Sequence, residues 1–255
     1  MLLAVDVGNT TTAFGVFEAD KLRAAWHTAT DINRLVDEYA SLLLSLFNHQ
    51  GIATSNIKEA VMCSVVPPMV ATYEELFQRY LHVSPLLVEA GVKTGVRIRM
   101  DNPREVGTDR IVNAAAAHHL YGGPVIIIDF GTATTFDTVS KESEYLGGAI
   151  APGIATGAEA LFLRAAKLPR VELVRPRHAI GTSTVTAMQS GIIFGYVGLI
   201  EGIVARIQAE LKEKAKVVAT GGFAETIARE TSVINIINPD LTLIGLRLIH
   251  IMNKA

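Results

Sequence analysis

The chain opens on an apolar run that ends in small polar residues, "LLAVDVGNTTT" over positions 2–12. A short run bounded by a glycine turn predicts a buried β-strand, and "AFGVF" after it predicts the second strand of a hairpin. "KLRAAWHT" adds a third strand carrying Trp26. The period then changes: Ile32, Leu35 or Val36, Tyr39, Leu43 and Leu46 or Phe47 share one helical face before Gly51. "EAVMCSVV" returns as a strand. "PPMVATYEELFQRYL" predicts a helix opened by proline, with Val70, Tyr73, Leu76 or Phe77 and Tyr80 at helical spacing, and "SPLLVEA" predicts a short strand. Strands alternating with amphipathic helices predict an α/β domain whose helices cover a sheet.

A second series follows a helix near 103–120 and the join "YGGP". It contains a strand over 124–130, a glycine-rich passage "YLGGAIAPGIATG", and one or two long helices in which Leu199, Ile203, Ile207 and Leu211 mark a buried stripe. "KVVATGG" reads as a strand and "PDLTLIGLRLIHIMNKA" as a terminal helix. Residues 2–12 overlay 125–135, "VIIIDFGTATT", without a gap, so that Asp6 matches Asp129, Gly8 matches Gly131, and Thr11 and Thr12 match Thr134 and Thr135. The overlay preserves both the apolar run and its polar tip. It predicts a duplicated fold, with halves 1–118 and 119–255 facing one another across a nucleotide cleft.

Length and composition bound the partners. At 255 residues and 49% hydrophobic, the chain can bury a substantial core. Its 23 basic and 25 acidic residues leave a formal charge of -2, which favours neither nucleic acid nor acidic membranes and suits a small-molecule partner. The single cysteine, Cys63, excludes an intrachain disulfide and fits a buried strand in a reducing compartment. Asp6 interrupts the first apolar run with no cationic region before it, contrary to a signal peptide. No segment is expected to supply the roughly 20 apolar residues that cross a bilayer. The expectation is a soluble, cytoplasmic protein.

The two polar tips carry the first candidate chemistry. A strand delivers Asp6 to its C-terminal end, Gly8 permits close approach, and Asn9 with Thr10, Thr11 and Thr12 can offer amides and hydroxyls to phosphate oxygens. An ionised Asp6 cannot donate to phosphate, so its use would be to orient Mg²⁺ or magnesium-bound water. The second tip supplies Asp129, Gly131, Thr132, Thr134 and Thr135. Charge alone assigns both aspartates to magnesium. No "GxxxxGK[ST]" loop occurs, which disfavours a P-loop kinase, and the chain lacks paired CxxC, HExxH and G-x-S-x-G motifs. The adjacent His118 and His119 point in different directions from a helix and do not form a strong metal pair. "TGG" at 220–222 could admit an adenine or ribose face.

A second constellation is "DNPREVGTDRIVNAAAAHH" over 101–119. Asp101 or Asn102 can cap a helix containing Pro103, while Gly107 loosens or breaks its first turns. Asp109 and Arg110 precede an alanine-rich helical segment. A carboxylate there could accept a proton from a substrate alcohol, and the arginine could bind a carboxylate or a phosphate oxygen. An aspartate is a weak base for a free alcohol but a credible acceptor in phosphoryl transfer, where the transition state is loose and the proton leaves as the P–O bond forms.

"DVGNTTT", "DNPREVGTDR", "DFGTATTFD", "GGAIAPG" and the later "TGG" together resemble the type III pantothenate kinase family, in order and over nearly the whole chain. The resemblance implies a duplicated actin-like ATPase fold of the acetate and sugar kinase/Hsp70/actin class, with two ribonuclease-H-like α/β domains. It implies ATP-dependent phosphorylation of pantothenate to 4'-phosphopantothenate, with Mg²⁺ accompanying ATP. Asp6, Val7, Gly8, Asn9, Thr10, Thr11, Thr12 and Ala13 would form the first ATP segment, and Thr132 would add a contact. Gly107, Thr108, Asp109 and Arg110 would line the pantothenate site, with Asp109 as proton acceptor and Thr184 as a substrate contact near a homodimer interface. Asp129 would bind a monovalent cation, K⁺ or NH₄⁺. The chain departs from the family at Met100, where many members carry tyrosine in the substrate region, and at Thr108, where alanine is common. Alternatives are a kinase or phosphatase acting on another small hydroxylated metabolite, and an ATP-responsive regulatory or filament-forming protein.

Overall fold

The computed structural model describes residues 1–254. The chain divides into two compact units, and neither is a continuous half. One unit comprises Met1–Val96, Asp101–Ala116 and the C-terminal segment from Asp240, and the other comprises Arg97–Met100 and Ala117–Pro239. The single cut expected between 118 and 119 is therefore corrected. The terminal helix belongs with the first sheet because Leu243, Leu246 and Ile249 pack into a core that includes Leu2, Ala4, Phe17 and Val61.

The first unit is built on strands β1 (Leu2–Val7), β2 (Thr11–Glu18), β3 (Lys21–Ala29), β4 (Glu59–Ser64) and β5 (Pro85–Leu87), in the order β3-β2-β1-β4-β5. β1 runs antiparallel to β2 and parallel to β4. Helices α1 (Val36–His49) and α2 (Pro67–Leu76) cover one face through Tyr39, Leu43, Phe47, Met69 and Tyr73. α1 starts later than the apolar spacing predicts. Ile32 and Leu35 stay exposed, and the Leu35 amide is taken by the Glu38 carboxylate at 2.8 Å, which closes the helix start at Val36. In α2 the prolines occupy the first positions, as expected, where a missing amide proton costs no helix bond.

The 103–120 segment is not one helix. Asn102 caps a short 3₁₀ turn over Pro103–Glu105, and α3 begins afresh at Thr108 and runs to Tyr121. α7 (Leu241–Asn253) lies against α3 so closely that a Cβ on Gly245 would meet the Val112 carbonyl oxygen at 2.3 Å.

The second unit repeats the arrangement and adds an edge strand. Its strands are β6 (Arg97–Ile98), β7 (Val125–Phe130), β8 (Ala133–Val139), β9 (Glu144–Pro152), β10 (Lys216–Gly221) and β11 (Ile236–Ile237), ordered β11-β10-β7-β8-β9-β6. β7 is antiparallel to β8 and parallel to β10, as β1 is to β2 and β4. The internal repeat is thus a repeat of sheet topology. α4 (Ile154–Arg164), α5 (Thr184–Leu211) and α6 (Ala224–Ala228) complete the unit.

Two sequence expectations change here. The glycine-rich passage contains β9 and the start of α4: Gly148 lies so close to β8 that a Cβ would sit 1.5 Å from the Phe136 carbonyl oxygen. α5 is one 28-residue helix, and its fully buried residues include Ile192, Ile193, Ile200 and Val204, while Leu199, Ile203, Ile207 and Leu211 flank that core partly buried. The helix is also long and apolar enough to cross a bilayer, with a mean hydropathy of 1.5, contrary to the expectation that no segment would be. Its contacts with β7 and β10 residues in one core identify it as a helix of the packed unit.

Candidate functional site

The first tip follows β1. The Gly8 amide donates to the Thr11 carbonyl at 3.1 Å, and a Cβ on Gly8 would meet that oxygen at 2.9 Å. Thr30, just beyond β3, straps the turn: its hydroxyl donates to the Gly8 carbonyl at 2.7 Å and lies 2.8 Å from the hydroxyl of buried Thr12, while its amide donates to the Thr10 carbonyl at 2.9 Å. Residues 8–11 are thereby held as a rigid, partly exposed turn. Thr30 escaped the sequence reading because its role depends on β2–β3 pairing.

Asp6 sits one residue inside the strand end, paired in register with Ala13 on one side and Cys63 on the other. The Cys63 thiol donates to Asp6 Oδ1 at 3.1 Å. Burial pushes the Asp6 carboxyl up to about 7; the thiol bond opposes the shift, and the negative charge of Asp109 adds to it. The Cys63 thiol is itself raised well above its ordinary value, by burial first and then by Asp6. Cys63 is fully buried, as expected, and acts here as a weak donor to a carboxylate.

Asp109 and Arg110 occupy the first turn of α3. Asp109 Oδ1 accepts the Arg110 amide at 2.8 Å, which points the carboxylate back toward the helix start. A Cβ on Gly107 would lie 2.5 Å from the same oxygen, so glycine leaves the room that the carboxylate occupies over the chain. The Thr108 hydroxyl donates to the Ser64 carbonyl at 3.3 Å, tying the helix start to the end of β4. Asp6, Cys63 and the 107–110 segment therefore converge within one unit, with two carboxylates repelling each other. Two hard oxygen donors, one of them desolvated with a thiol donating to it, fit a divalent cation such as Mg²⁺. Among the described residues no group of three or more His, Cys, Asp or Glu side chains forms a closed metal cage.

The second tip differs in detail. Its turn is one residue shorter, with the Gly131 amide donating to the Ala133 carbonyl at 3.0 Å. The Thr132 carbonyl accepts from the Gly153 amide at 3.0 Å and the Thr156 hydroxyl at 2.8 Å, which fastens the turn to the start of α4. Asp129 pairs in register with Thr135 on β8 and Thr220 on β10. The gap-free overlay thus fails at the turn: by register Thr12 corresponds to Thr134, both fully buried, and not to Thr135. Gly221 has φ +87°, and a Cβ there would meet Asp129 Oδ1 at 2.7 Å. Its glycine serves close approach to the aspartate, whereas Gly222 faces open space.

The sequence model of the type III pantothenate kinase family matches residues 2–206. The type III pantothenate kinase of Dehalococcoides mccartyi (strain CBDB1) is 58% identical over 254 residues, covering 100% of this chain and 97% of that protein. The chain belongs to the type III pantothenate kinase family. The same enzyme from Geobacillus kaustophilus (strain HTA426) is 51% identical over 253 residues, covering 99% of this chain and 98% of its own. Among solved structures, a Sinorhizobium meliloti protein described as a 2-dehydro-3-deoxygalactonokinase superposes with a TM-score of 0.61 at 12% identity, covering 100% of this chain and 97% of its own. That likeness, with the duplicated sheets, places the chain in the duplicated actin-like ATPase fold shared with sugar kinases.

The remaining residues expected from the pantothenate kinase resemblance lie in the second unit. Met100 follows β6, and its sulfur packs over Gly147 of β9, where a Cβ would approach it to 2.8 Å. Thr184 opens α5 behind the Ser183 cap and lines an apolar groove of about 620 Å³ with Leu161, Leu168, Met188, Ile192 and Tyr196.

Proposed function

We infer that this type III pantothenate kinase transfers the γ-phosphoryl group of ATP to the terminal hydroxyl of pantothenate, giving 4'-phosphopantothenate and ADP. The observation that carries the reading is the placement of Asp109 and Arg110 on the first turn of α3, beside the Asp6 tip. The substrate hydroxyl oxygen forms a bond to the γ-phosphorus, the bridging oxygen–phosphorus bond breaks, and ADP leaves with the electron pair. Asp109 takes the hydroxyl proton, and Arg110 or nearby donors orient the substrate. Backbone and hydroxyl groups from Val7 to Ala13 hold the ATP phosphates, Asp6 joins that segment through the cation it orients, and Thr132 adds a further contact. Magnesium accompanying ATP would screen the phosphate charge and polarise the transferring group. Asp6 is the residue assigned to it.

Asp129 is assigned to a monovalent cation, K⁺ or NH₄⁺, and Met100, Gly107, Thr108 and Thr184 to the pantothenate site. Met100 offers an apolar wall without the tyrosine hydroxyl. The only partly buried apolar surface of α5 supports a homodimer with Thr184 near its interface. The protein is proposed to work in the cytoplasm.

Asp109→Asn tests the proton-acceptor role. Asparagine Oδ1 can keep the Arg110 amide bond, so the helix start is preserved. Loss of a general base should lower kcat by about 10²- to 10⁴-fold, with ATP affinity largely retained in calorimetry. Near-parental turnover would overturn the assignment.

A further inference from the structure

The two tip aspartates stand in different chemical company. Asp6 is flanked in register by Ala13 and Cys63, which offer no oxygen ligand. Asp129 is flanked by Thr135 and Thr220, and directly opposed residues of neighbouring strands project from the same sheet face. The one-residue difference in turn length produces this contrast, since it places an alanine opposite Asp6 and a threonine opposite Asp129.

The hydroxyl of Thr135 is not available as a donor to Asp129. It donates to Asp137 Oδ2 at 3.1 Å, and Asp137 Oδ1 accepts the Tyr145 hydroxyl at 2.5 Å. Asp137 and Tyr145 are both fully buried. A buried carboxylate is retained at a cost unless hydrogen bonds satisfy it, and these two hydroxyls engage one oxygen each. With its proton committed to Asp137, Thr135 presents oxygen lone pairs on the face it shares with Asp129. Thr220 is 2% exposed, so its hydroxyl sits beside Asp129 largely out of solvent. A row of hydroxyl, carboxylate and hydroxyl across β10, β7 and β8 supplies one negative charge and two neutral hard oxygens. That set suits a weakly hydrated monovalent cation better than Mg²⁺, which retains its waters and favours carboxylates and phosphates.

We propose that Thr135 and Thr220 complete the monovalent-cation site around Asp129, and that buried Asp137, held by Tyr145, is the positioning residue that turns the Thr135 oxygen toward the cation. The proposal rests on the reading of Asp129 as the cation ligand.

The test compares the parent enzyme with Thr135→Val, Thr135→Ser, Thr220→Val and Asp137→Asn. Cation binding is read in two ways: the rise in melting temperature when K⁺ replaces tetramethylammonium at constant ionic strength, and thallium(I) binding by NMR. Half-saturating K⁺ for turnover is measured alongside. Thr135→Val and Thr220→Val should each weaken K⁺ and thallium binding about tenfold or more, with the K⁺ concentration for half-maximal turnover rising in step. Thr135→Ser should restore binding, and Asp137→Asn should weaken it through Thr135. If both valine variants bind the cations like the parent, the proposal is overturned, whether or not Asp137→Asn folds. If the parent shows no response to K⁺ or thallium at all, the reading of Asp129 itself fails.

Discussion

Gly221→Ala should injure both stability and cation response, for a reason visible in one contact. Gly221 has φ +87°, where an L side chain is strained, and a Cβ there would lie 2.7 Å from Asp129 Oδ1 and from both the nitrogen and oxygen of Phe130. The backbone strain costs about 1–2 kcal/mol, and crowding against backbone that cannot move freely adds about 1–3 kcal/mol. The sum is about 2–5 kcal/mol. For a chain of this size each kcal/mol lowers the melting temperature by about 2–4 °C, so a loss near 3 kcal/mol means about 6–12 °C. Differential scanning calorimetry reads that shift, and the K⁺ concentration for half-maximal turnover reads displacement of the Asp129 carboxylate. Gly222→Ala is the matched control, because nothing lies within 4 Å of its added Cβ and its effect should stay within about 0.5 kcal/mol. A Gly221→Ala variant melting within about 2 °C of the parent with an unaltered K⁺ response would refute the reasoning.

Two further outcomes follow from the first unit. Because the folded-state Asp6 carboxyl is raised to about 7 from 3.8, the folded protein holds an extra proton between those values, so metal-free stability should fall as pH rises through that window. Melting curves from pH 4 to 8 in chelator should show this decline for the parent and a flatter profile for Asp6→Asn; parallel profiles would contradict the burial argument. Gly245→Ala, which in an ordinary helix would gain about 0.5–1 kcal/mol, should instead lose about 1–3 kcal/mol, because its Cβ would press on the Val112 carbonyl. Urea unfolding reads the sign directly.

The repeat between 2–12 and 125–135 made the duplicated fold legible, because the apolar run and polar tip survive together in both copies. It could not supply the hairpin register. A turn longer by one residue leaves sequence identity intact while moving a different side chain beside each aspartate. That is why charge alone left both aspartates equivalent, although their strand neighbours separate them.

β9 was hidden within a glycine-rich passage, because Gly147 and Gly148 carry no side chain to mark a strand's alternation. Their lack of a side chain serves a Met100 contact and close packing on β8. α5 is apolar around much of its surface, so its period could not choose between the Leu199 row and the more deeply buried Ile200 and Val204. Attachment of α7 to the first unit is a contact across most of the chain, invisible to local pattern. Asp109 and Arg110 were legible as a pair, but the space Gly107 leaves for the carboxylate depends on how the chain folds back before α3.

Pantothenate phosphorylation is decided by incubating the purified protein with ATP, Mg²⁺ and K⁺, with and without pantothenate, and following ADP release with mass detection of products. ADP release should depend on pantothenate and be matched by a product heavier by one phosphoryl group. ADP release that is indifferent to pantothenate, with no phosphorylated pantothenate formed, would contradict it.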